Sequence, residues 1–505
     1  MRVTLVQPAQ GTRFGFAKVL MVEPLGLECI SASLRRHEHD VHLVDLRLDE
    51  PRALTAHLQS AEPGAVGITC GFTTDVYSAL HTAKLVKDTR PRTFVFVGGH
   101  HASLIPGDFL FPGSPVDAVV IAEGEGPALE LADTLDRRGE PGAVPGVRTL
   151  DNMDNFQLPR RPKSLDELPL PDRLLSKRYR HRYHHAWASP SACVETSRGC
   201  PFDCNFCSIW VFYQRRARRR SPERIVEDLI RVRELGEEHV FFTDDIAFLQ
   251  RDAYEELALE IRATGLKMDF VCETRADLVV KYGDLFKLWK EIGLKTIFLG
   301  VEKVDDDGLD SVRKRTKGGA DTNLKAIEIL RACGITPMTS LITDPAWGEE
   351  DFDRLERFVK ALDLPNPTFS VLTPLPGTEL WETMKSQITT TDYGLFDVMH
   401  LVLPAKLGPE RFYERFARLY RLADTRAQLM SWKGVAQLAQ LVLRGQTWIA
   451  RRVMSAVRDM RDPVAYQSHP GTTPRPAFVP SNFGESAWVD RSRSALTIQA
   501  TAGSR

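Results

Sequence analysis

The chain carries almost no net charge: 66 Lys and Arg stand against 67 Asp and Glu in 505 residues. General nucleic-acid binders carry a basic surplus, so that class is disfavoured and no nucleic-acid partner is expected. No run of 18 uncharged apolar residues occurs, so no membrane-spanning helix is expected. The opening MRVTLVQPAQ has one Arg and a short apolar stretch ending at Pro8, too short for a secretory signal. Eight cysteines are too few for a disulfide framework. The expected home is a reducing cytoplasm, where thiols stay free for metals. Internal repeats are also missing. What remains is an ordinary globular composition, 43% hydrophobic and 26% charged, long enough for roughly three structural units.

Residues 1–150 alternate strand and helix patterns. The short apolar runs Val3–Val6, Val41–Leu46, Ala65–Thr69, Phe94–Val97 and Ala118–Ile121 suit parallel strands buried on both faces. Leu27, Ile30 and Leu34 share one helical face, and Tyr77, Leu80, Lys84 and Val86 mark another helix. Together these predict a doubly wound α/β domain, with ligands at the carboxyl ends of its strands. There lie Thr69-Cys70-Gly71, Gly98-Gly99-His100-His101 and Glu123-Gly124-Glu125-Gly126. The glycines serve either close backbone approach to a large ligand or simple tight turns.

Residues 151–190 are rich in proline and basic side chains and read as an extended linker. From 191 to 407 the alternation returns. Strands are expected at Ala192–Thr196, His239–Thr243, Asp269–Glu273, Thr296–Gly300, Thr336–Thr343 and Thr368–Leu372. Ser221-Pro222-Glu223 starts one intervening helix and Gly334 can end another. Six such units predict a partial (β/α)6 barrel with its chemistry at the strand ends. Residues 408–462 read as a helical extension; from Lys406 to Asp462 there are 12 Lys and Arg against five Asp and Glu. Composition then shifts to Pro, Ser, Thr and Gly, so 463–505 is expected to be a disordered tail.

Chemistry concentrates in ETSRGCPFDCNFCSIW, residues 195–210. Cys200, Cys204 and Cys207 follow a predicted strand with CxxxCxxC spacing. Three thiolates in one loop suit an iron–sulfur cluster; with three protein ligands rather than the usual four, one iron stays open. Zinc would want a fourth Cys or His, and none lies close in sequence. Zinc and coincidence remain the competing readings.

The triplet, with Phe206 just before its last cysteine, resembles the radical S-adenosylmethionine (SAM) signature. That resemblance implies a 4Fe–4S cluster at Cys200, Cys204 and Cys207 whose open iron chelates the amino and carboxylate groups of SAM. It implies reductive cleavage to methionine and a 5′-deoxyadenosyl radical, with Phe206 near the adenine. An α/β domain with GGHHAS and AEGEG before such a barrel resembles the cobalamin-binding subgroup. The usual DxHxxG motif is missing; the nearest string is Asp40-Val-His42-Leu-Val-Asp45, without its glycine.

Further along, EPLGLE (23–28), FFTDDIAFL (241–249), TRADLVVK (274–281), FLGVEKVDDDGL (298–309), LTPLPGTELW (372–381) and HLVLPAKL (400–407) resemble the hopanoid C-3 methylase group over roughly residues 1–425. The implied fold is a cobalamin-binding doubly wound domain, a radical SAM barrel and a helical extension. The implied cofactors are a 4Fe–4S cluster, SAM and cobalamin. The implied reaction is methylation of an unactivated carbon, ring A of a hopanoid lipid, fed by a one-electron reductant such as a flavodoxin or ferredoxin. Alternatives are an aromatic, indole or antibiotic precursor, a cobalamin-dependent rearrangement, or an iron–sulfur electron carrier.

On this reading Thr69, Gly71, Gly98, Gly99, His100, Glu123 and Gly124 line the cobalamin edge. Asp244 or Asp245 meets the SAM amino group, Arg275 its carboxylate or ribose, and Gly300 and Glu302 its hydroxyls. The competing roles are caps, turns and ion pairs. Pro374–Thr378 resembles a turn beside the adenine. RRARRR (215–220) is read as a solvated face or a phosphate clamp. Leu438, Leu441, Val442, Trp448 and Ile449 among arginines suit either core packing or peripheral membrane contact.

Overall fold

The computed structural model describes residues 1–12, 14–152, 156–364, 367–423, 439, 441–468 and 472–479. Two six-stranded sheets dominate it. The first contains β1 (Arg2–Gln7), β2 (Asp40–Asp45), β3 (Ala65–Thr69), β4 (Phe94–Gly98), β5 (Ala118–Val120) and β6 (Val147–Arg148). Their order is β2-β1-β3-β4-β5-β6. The first five are parallel and β6 joins the edge antiparallel. Alternate residues feed two cores, as a sheet buried on both faces requires. Leu5, Leu43, Phe96 and Val120 pack under Leu27, Leu34 and Leu131. Val6, Val44, Ile68 and Val97 pack under Leu54, Leu58 and Leu80. The five apolar runs are the five parallel strands; two-residue β6 is too short to leave a pattern.

The second sheet contains β7 (Ser191–Val194), β8 (His239–Phe242), β9 (Asp269–Arg275), β10 (Leu294–Glu302), β11 (Thr336–Thr343) and β12 (Thr368–Val371). They are parallel and lie in sequence order, the partial barrel expected. Val240 and Phe242 point under the helices, while Phe241 between them is only partly buried. Trp289 stands edge-on to Phe242, Phe248 and Phe270 and anchors this core.

The two units are locked together. Residues 151–190 are not the extended linker that their composition suggests. Their Arg173 donates to Glu23 Oε1 at 2.7 Å, Glu28 Oε2 at 3.1 Å and Asp228 Oδ2 at 2.5 Å. Arg180 pairs with Glu23 at 2.7 Å, Glu28 at 3.0 Å and Glu237 at 2.9 Å. All six side chains are buried. Burial dominates and raises Glu28 to about 8 and Glu237 to about 7. A basic, proline-rich composition looks solvated, because the acids that bury these arginines lie far away in sequence.

In the extension, Pro409–Leu422 and Thr447–Met460 are helices. Leu441, Ile449 and Val453 pack together, whereas Val442 and Leu443 are exposed; Leu438 lies outside the described residues. The expected tail begins with order: Pro463–Gln467 is helical, and Tyr466 is buried against Phe14, Tyr413 and Phe416. One aromatic with a core contact outweighs a disorder-type composition there. Residues 480–505 lie outside the described residues.

Candidate active site

The cysteine loop leaves the carboxyl end of β7 and is held from several sides. Asp244, after β8, accepts from the Thr196 and Ser197 amides at 2.7 and 2.8 Å, from the Thr196 hydroxyl, and from the Tyr254 hydroxyl at 2.6 Å. Both its oxygens are thus spent on the start of the loop. Asp245, among the described residues, accepts from the Gly199 amide alone, at 2.7 Å, through Oδ2. Gly199 has φ +93°, and a Cβ there would lie 2.1 Å from the Arg216 carbonyl oxygen. Only glycine fits before Cys200.

On the far side, Asn205 donates to the Ser311 carbonyl at 2.9 Å and accepts from the Leu380 amide at 2.9 Å. Phe206 packs against Val312, Ile342, Leu372 and Leu380 near the ends of β11 and β12. The short helix Ile209–Phe212 presses Trp210, Val211 and Phe212 into the first unit's core.

All three thiols of the loop are partly buried, and Cys200 and Cys204 are near enough to Cys207 to act on it electrostatically. Burial raises Cys200 to about 11 and Cys207 to about 12, and Cys204 shifts the same way. Without a metal to displace the protons they stay thiols. Two cations face Cys204. The Arg275 Nη1 is 4.0 Å from its sulfur, and Lys314 is the largest influence opposing its upward shift.

Acids ring the same edge. Asp245 and Glu273, at the ends of β8 and β9, are each raised to about 7, chiefly by burial and then by neighbouring carboxylates in the case of Glu273. Glu302, with φ +63° beyond a register shift in β10, is paired through Oε1 with Lys314 at 2.8 Å. Lys314 also donates to the Gly300 carbonyl at 2.9 Å. A Cβ on Gly300 would meet the Lys314 nitrogen at 2.4 Å. Gly300 therefore makes room for this buried pair within the protein, and the Glu302 Oε1 expected to meet the SAM hydroxyls is paired with Lys314.

The first sheet's edge is different. Beyond β3, a Cβ at Gly71 would meet nothing within 4 Å, and the Phe72 ring beside it is 75% exposed. Thr69 and Gly98 end neighbouring strands in register. Gly99, with φ +116°, lies so close to Cys70 that a Cβ would be 2.6 Å from its carbonyl oxygen. Gly124 lies under Ile30. The His100 ring is 4.0 Å from that of Phe212, and burial lowers its pKa to about 4. His101 is held between the Thr73 hydroxyl at 3.1 Å and Asp108 at 3.0 Å, which leaves neither nitrogen for a metal. His42 lies on β2 and pairs with Asp40, away from this edge.

Glu123 departs from its expected part. Its two oxygens accept from Arg198 at 3.0 Å and Arg218 at 2.8 Å. Arg198 also holds Glu125 at 2.6 Å and Glu195 at 2.5 Å. Glu123 thus ties the first unit to the cysteine loop. Arg218 and Arg220 of RRARRR turn inward, and Arg215, Arg216 and Arg219 face outward.

Residues 194–361 match the Radical SAM superfamily and residues 19–132 match the B12 binding domain. The hopanoid C-3 methylase of Methylococcus capsulatus (strain Bath) is 38% identical over 482 residues, which span 92% of this chain and 90% of that one. The chain belongs to the hopanoid C-3 methylase family. As a member of this methylase family it is a radical SAM methyltransferase, and its cofactors are a 4Fe–4S cluster, SAM and cobalamin. The fold is also that of OxsB, a cobalamin-dependent SAM radical enzyme solved with aqua-cobalamin and SAM bound. That match has a TM-score of 0.66 and 17% identity, and covers 90% of this chain and 72% of that one. TsrM from Kitasatospora setae, a radical SAM methyltransferase solved with tryptophan and a SAM analogue, gives 0.61 and 17% over 76% of each chain.

The residues present fit these groups. Among the described residues no three His, Cys, Asp or Glu side chains converge on one metal ion. Three thiols of one loop, with Arg275 and Lys314 beside Cys204, suit a larger anionic cluster better than a single zinc. The open space at Gly71 and the bare Phe72 ring suit a large, flat cofactor at the sheet's switch point. Residues that sequence reasoning missed are Phe72, Phe202, Asp277 and Lys314. Asp277 was visible in TRADLV but had no assigned partner; Lys314 has no motif around it.

Proposed function

We propose that this protein methylates an unactivated carbon in ring A of a hopanoid lipid. The observation that carries this is the 38% identity to a hopanoid C-3 methylase across nearly the whole of both chains, including both cofactor domains. Cys200, Cys204 and Cys207 would hold the cluster. Thr69, Gly71, Gly98, Gly99 and Gly124, with Phe72, would cradle cobalamin, and His100 packs behind that edge. When bound, the cluster and SAM together supply a radical that removes substrate hydrogen, and cobalamin supplies the methyl group.

The chain's own part is charge, position and dryness. Asp245 has an oxygen to spare and, with Glu273, forms a low-dielectric acidic edge. The SAM ammonium would restore the ionised forms that burial disfavours. Asp244 is a positioning residue: it holds Thr196 and Ser197, and through them the loop. Phe206, in its apolar pocket, suits the adenine face. Glu302 is paired with Lys314.

A one-electron carrier such as a flavodoxin or ferredoxin would reset the metals. Among the described residues no helix is long and apolar enough to cross a membrane. Val442 and Leu443, exposed beside Arg444, are suited to peripheral contact with the membrane that holds a lipid substrate. Anionic vesicles should bind wild type more strongly than Leu443→Asp; equal binding removes this contact.

The deciding experiment is lipid analysis of a hopanoid-producing host that lacks ring-A methylation. Expression should add one methyl group to ring A, and Cys200→Ala should abolish it. Active SAM cleavage without a methylated hopanoid points to another substrate.

A further inference from the structure

The Arg275 guanidinium is held by contacts at all three of its nitrogens. Its Nε and Nη2 donate to the two oxygens of Asp277 at 3.0 and 3.3 Å. Nη2 also reaches the Arg315 carbonyl at 3.4 Å. The plane lies 3.9 Å from the centre of the Phe202 ring, inside the cysteine loop. The remaining nitrogen, Nη1, points at the Cys204 sulfur from 4.0 Å. The residue is 7% exposed. Asp277 uses both oxygens to hold the fork, so the guanidinium presents an N–H to this sulfur in a fixed orientation. Four of its five N–H groups are thus accounted for, and only the second N–H of Nη1 has no partner among these contacts.

We propose that Arg275 is a positioning residue that sets the reduction potential of the cluster: through an N–H···S contact with Cys204 it stabilises the reduced, more negative state. The inference rests on Cys204 being a cluster ligand. Hydrogen bonds to ligand sulfurs and nearby net charge are two of the levers that set iron–sulfur potentials. Asp277 has two opposing effects. It aims the fork, and its charge offsets part of the cation's pull. Phe202 adds a cation–π shelf that keeps the fork over the loop. The TRADLV segment is thereby explained as an Arg–Asp pair two residues apart, placed at the end of β9 to face one cysteine.

The test is an EPR-monitored redox titration of the reconstituted holoenzyme without SAM. In Arg275→Met the reduced-to-oxidised ratio at a fixed applied potential should fall about tenfold, equivalent to ~59 mV more negative for one electron. Arg275→Lys, which keeps the charge but loses the fork, should fall between. Asp277→Asn removes the offsetting charge and should move the couple the other way. SAM affinity, from equilibrium binding, should change less than the potential in all three.

If Arg275→Met keeps the wild-type potential but loses SAM binding, Arg275 is a SAM ligand and the proposal is overturned. If that variant loses its iron, Arg275→Lys and Asp277→Asn decide, and unmoved potentials in both overturn it. A wild-type protein that takes up no cluster, or Cys204→Ala that keeps one unchanged, overturns the cluster assignment instead.

Discussion

Both halves of the molecule place their sites at the carboxyl ends of parallel strands, yet the two edges are built from opposite materials. The barrel edge is built from ionisable groups: Asp245 and Glu273 lie near one another, Glu302 pairs with Lys314, and Arg275 and Lys314 lie beside Cys204. The first sheet's edge is nearly bare: an open Gly71, a tightly seated Gly99, an exposed Phe72 and a neutral His100. Its polar groups are turned inward, with Asp45 on Arg47 and Asp108 on His101. SAM carries an ammonium and a carboxylate, and an iron–sulfur cluster is anionic, so charge recognises both. A corrin ring offers a broad face, and what it needs is room and backbone. The same topology thus provides two kinds of recognition, set by which side chains end the strands.

The largest expected effect separates the two edges. Cys204→Ala should reduce 5′-deoxyadenosine formation to background and lower the iron content, while cobalamin still binds. Iron analysis and the cobalamin absorption spectrum of one sample check both. Loss of both cofactors together would mean that the edges form one cooperative site.

Next comes the tie between them. Arg198 is buried among Glu123 and Glu125 of the first edge and Glu195 of the second. Arg198→Met leaves two buried carboxylates, Glu123 and Glu125, and the half-buried Glu195 short of a partner and should cost about 3–5 kcal/mol. Chemical denaturation should then resolve two transitions in place of one. A single unshifted transition would mean that the apolar packing of Trp210 and Phe212 alone joins the units.

A smaller effect isolates the bare edge. Gly99→Val forces a side chain onto φ +116° and against the Cys70 carbonyl. It should cost about 1–3 kcal/mol locally and weaken cobalamin binding, while iron content and SAM cleavage stay at wild-type level. Unchanged cobalamin affinity would move the cofactor away from β4.

How far these features could be read in advance follows from their physics. Parallel strands buried on both faces are continuous apolar runs, so Ala65–Thr69 and Thr336–Thr343 stood out with their true limits. The cysteine triplet is local and needs no partner to be recognised. Long-range ion pairs have no period. Nothing near Arg173 announces Glu23, 150 residues away, and nothing near Lys314 announces the Glu302 that pairs with it or the Gly300 that makes room. Glu123 was misplaced for the same reason: a carboxylate at a strand end looks like a ligand until its arginines are seen. Asp244 and Asp245 are adjacent in sequence, and only their hydrogen bonds separate a loop clamp from a free acceptor.

The last contrast is with pH, and its sign is definite. Asp245 rises from 3.8 to about 7 and Glu273 from 4.5 to about 7, because burial disfavours their ionised forms. A carboxyl whose pKa is raised on folding stabilises the protein below its unfolded value and loses that contribution as pH climbs through the folded value. Unliganded protein should therefore lose stability between about pH 4 and 7 through these two groups, by at most about 1.4 kcal/mol per pH unit for each group inside its window. Glu28 and Glu237 at the junction act in the same direction, so the difference between wild type and Asp245→Asn isolates the barrel edge. That variant should flatten the slope. Saturating SAM should flatten it in wild type, since an ammonium beside Asp245 restores the ionised state, and should stabilise the variant less. His100, lowered from 6.5 to about 4, contributes with the opposite sign, gaining stability as pH rises between those values, but wild type and Asp245→Asn share it, so it cancels from the difference. Melting temperatures across the series, with and without SAM, measure it. A slope that Asp245→Asn leaves intact would remove Asp245 from the pH response, and that carboxylate would then be ionised before SAM arrives.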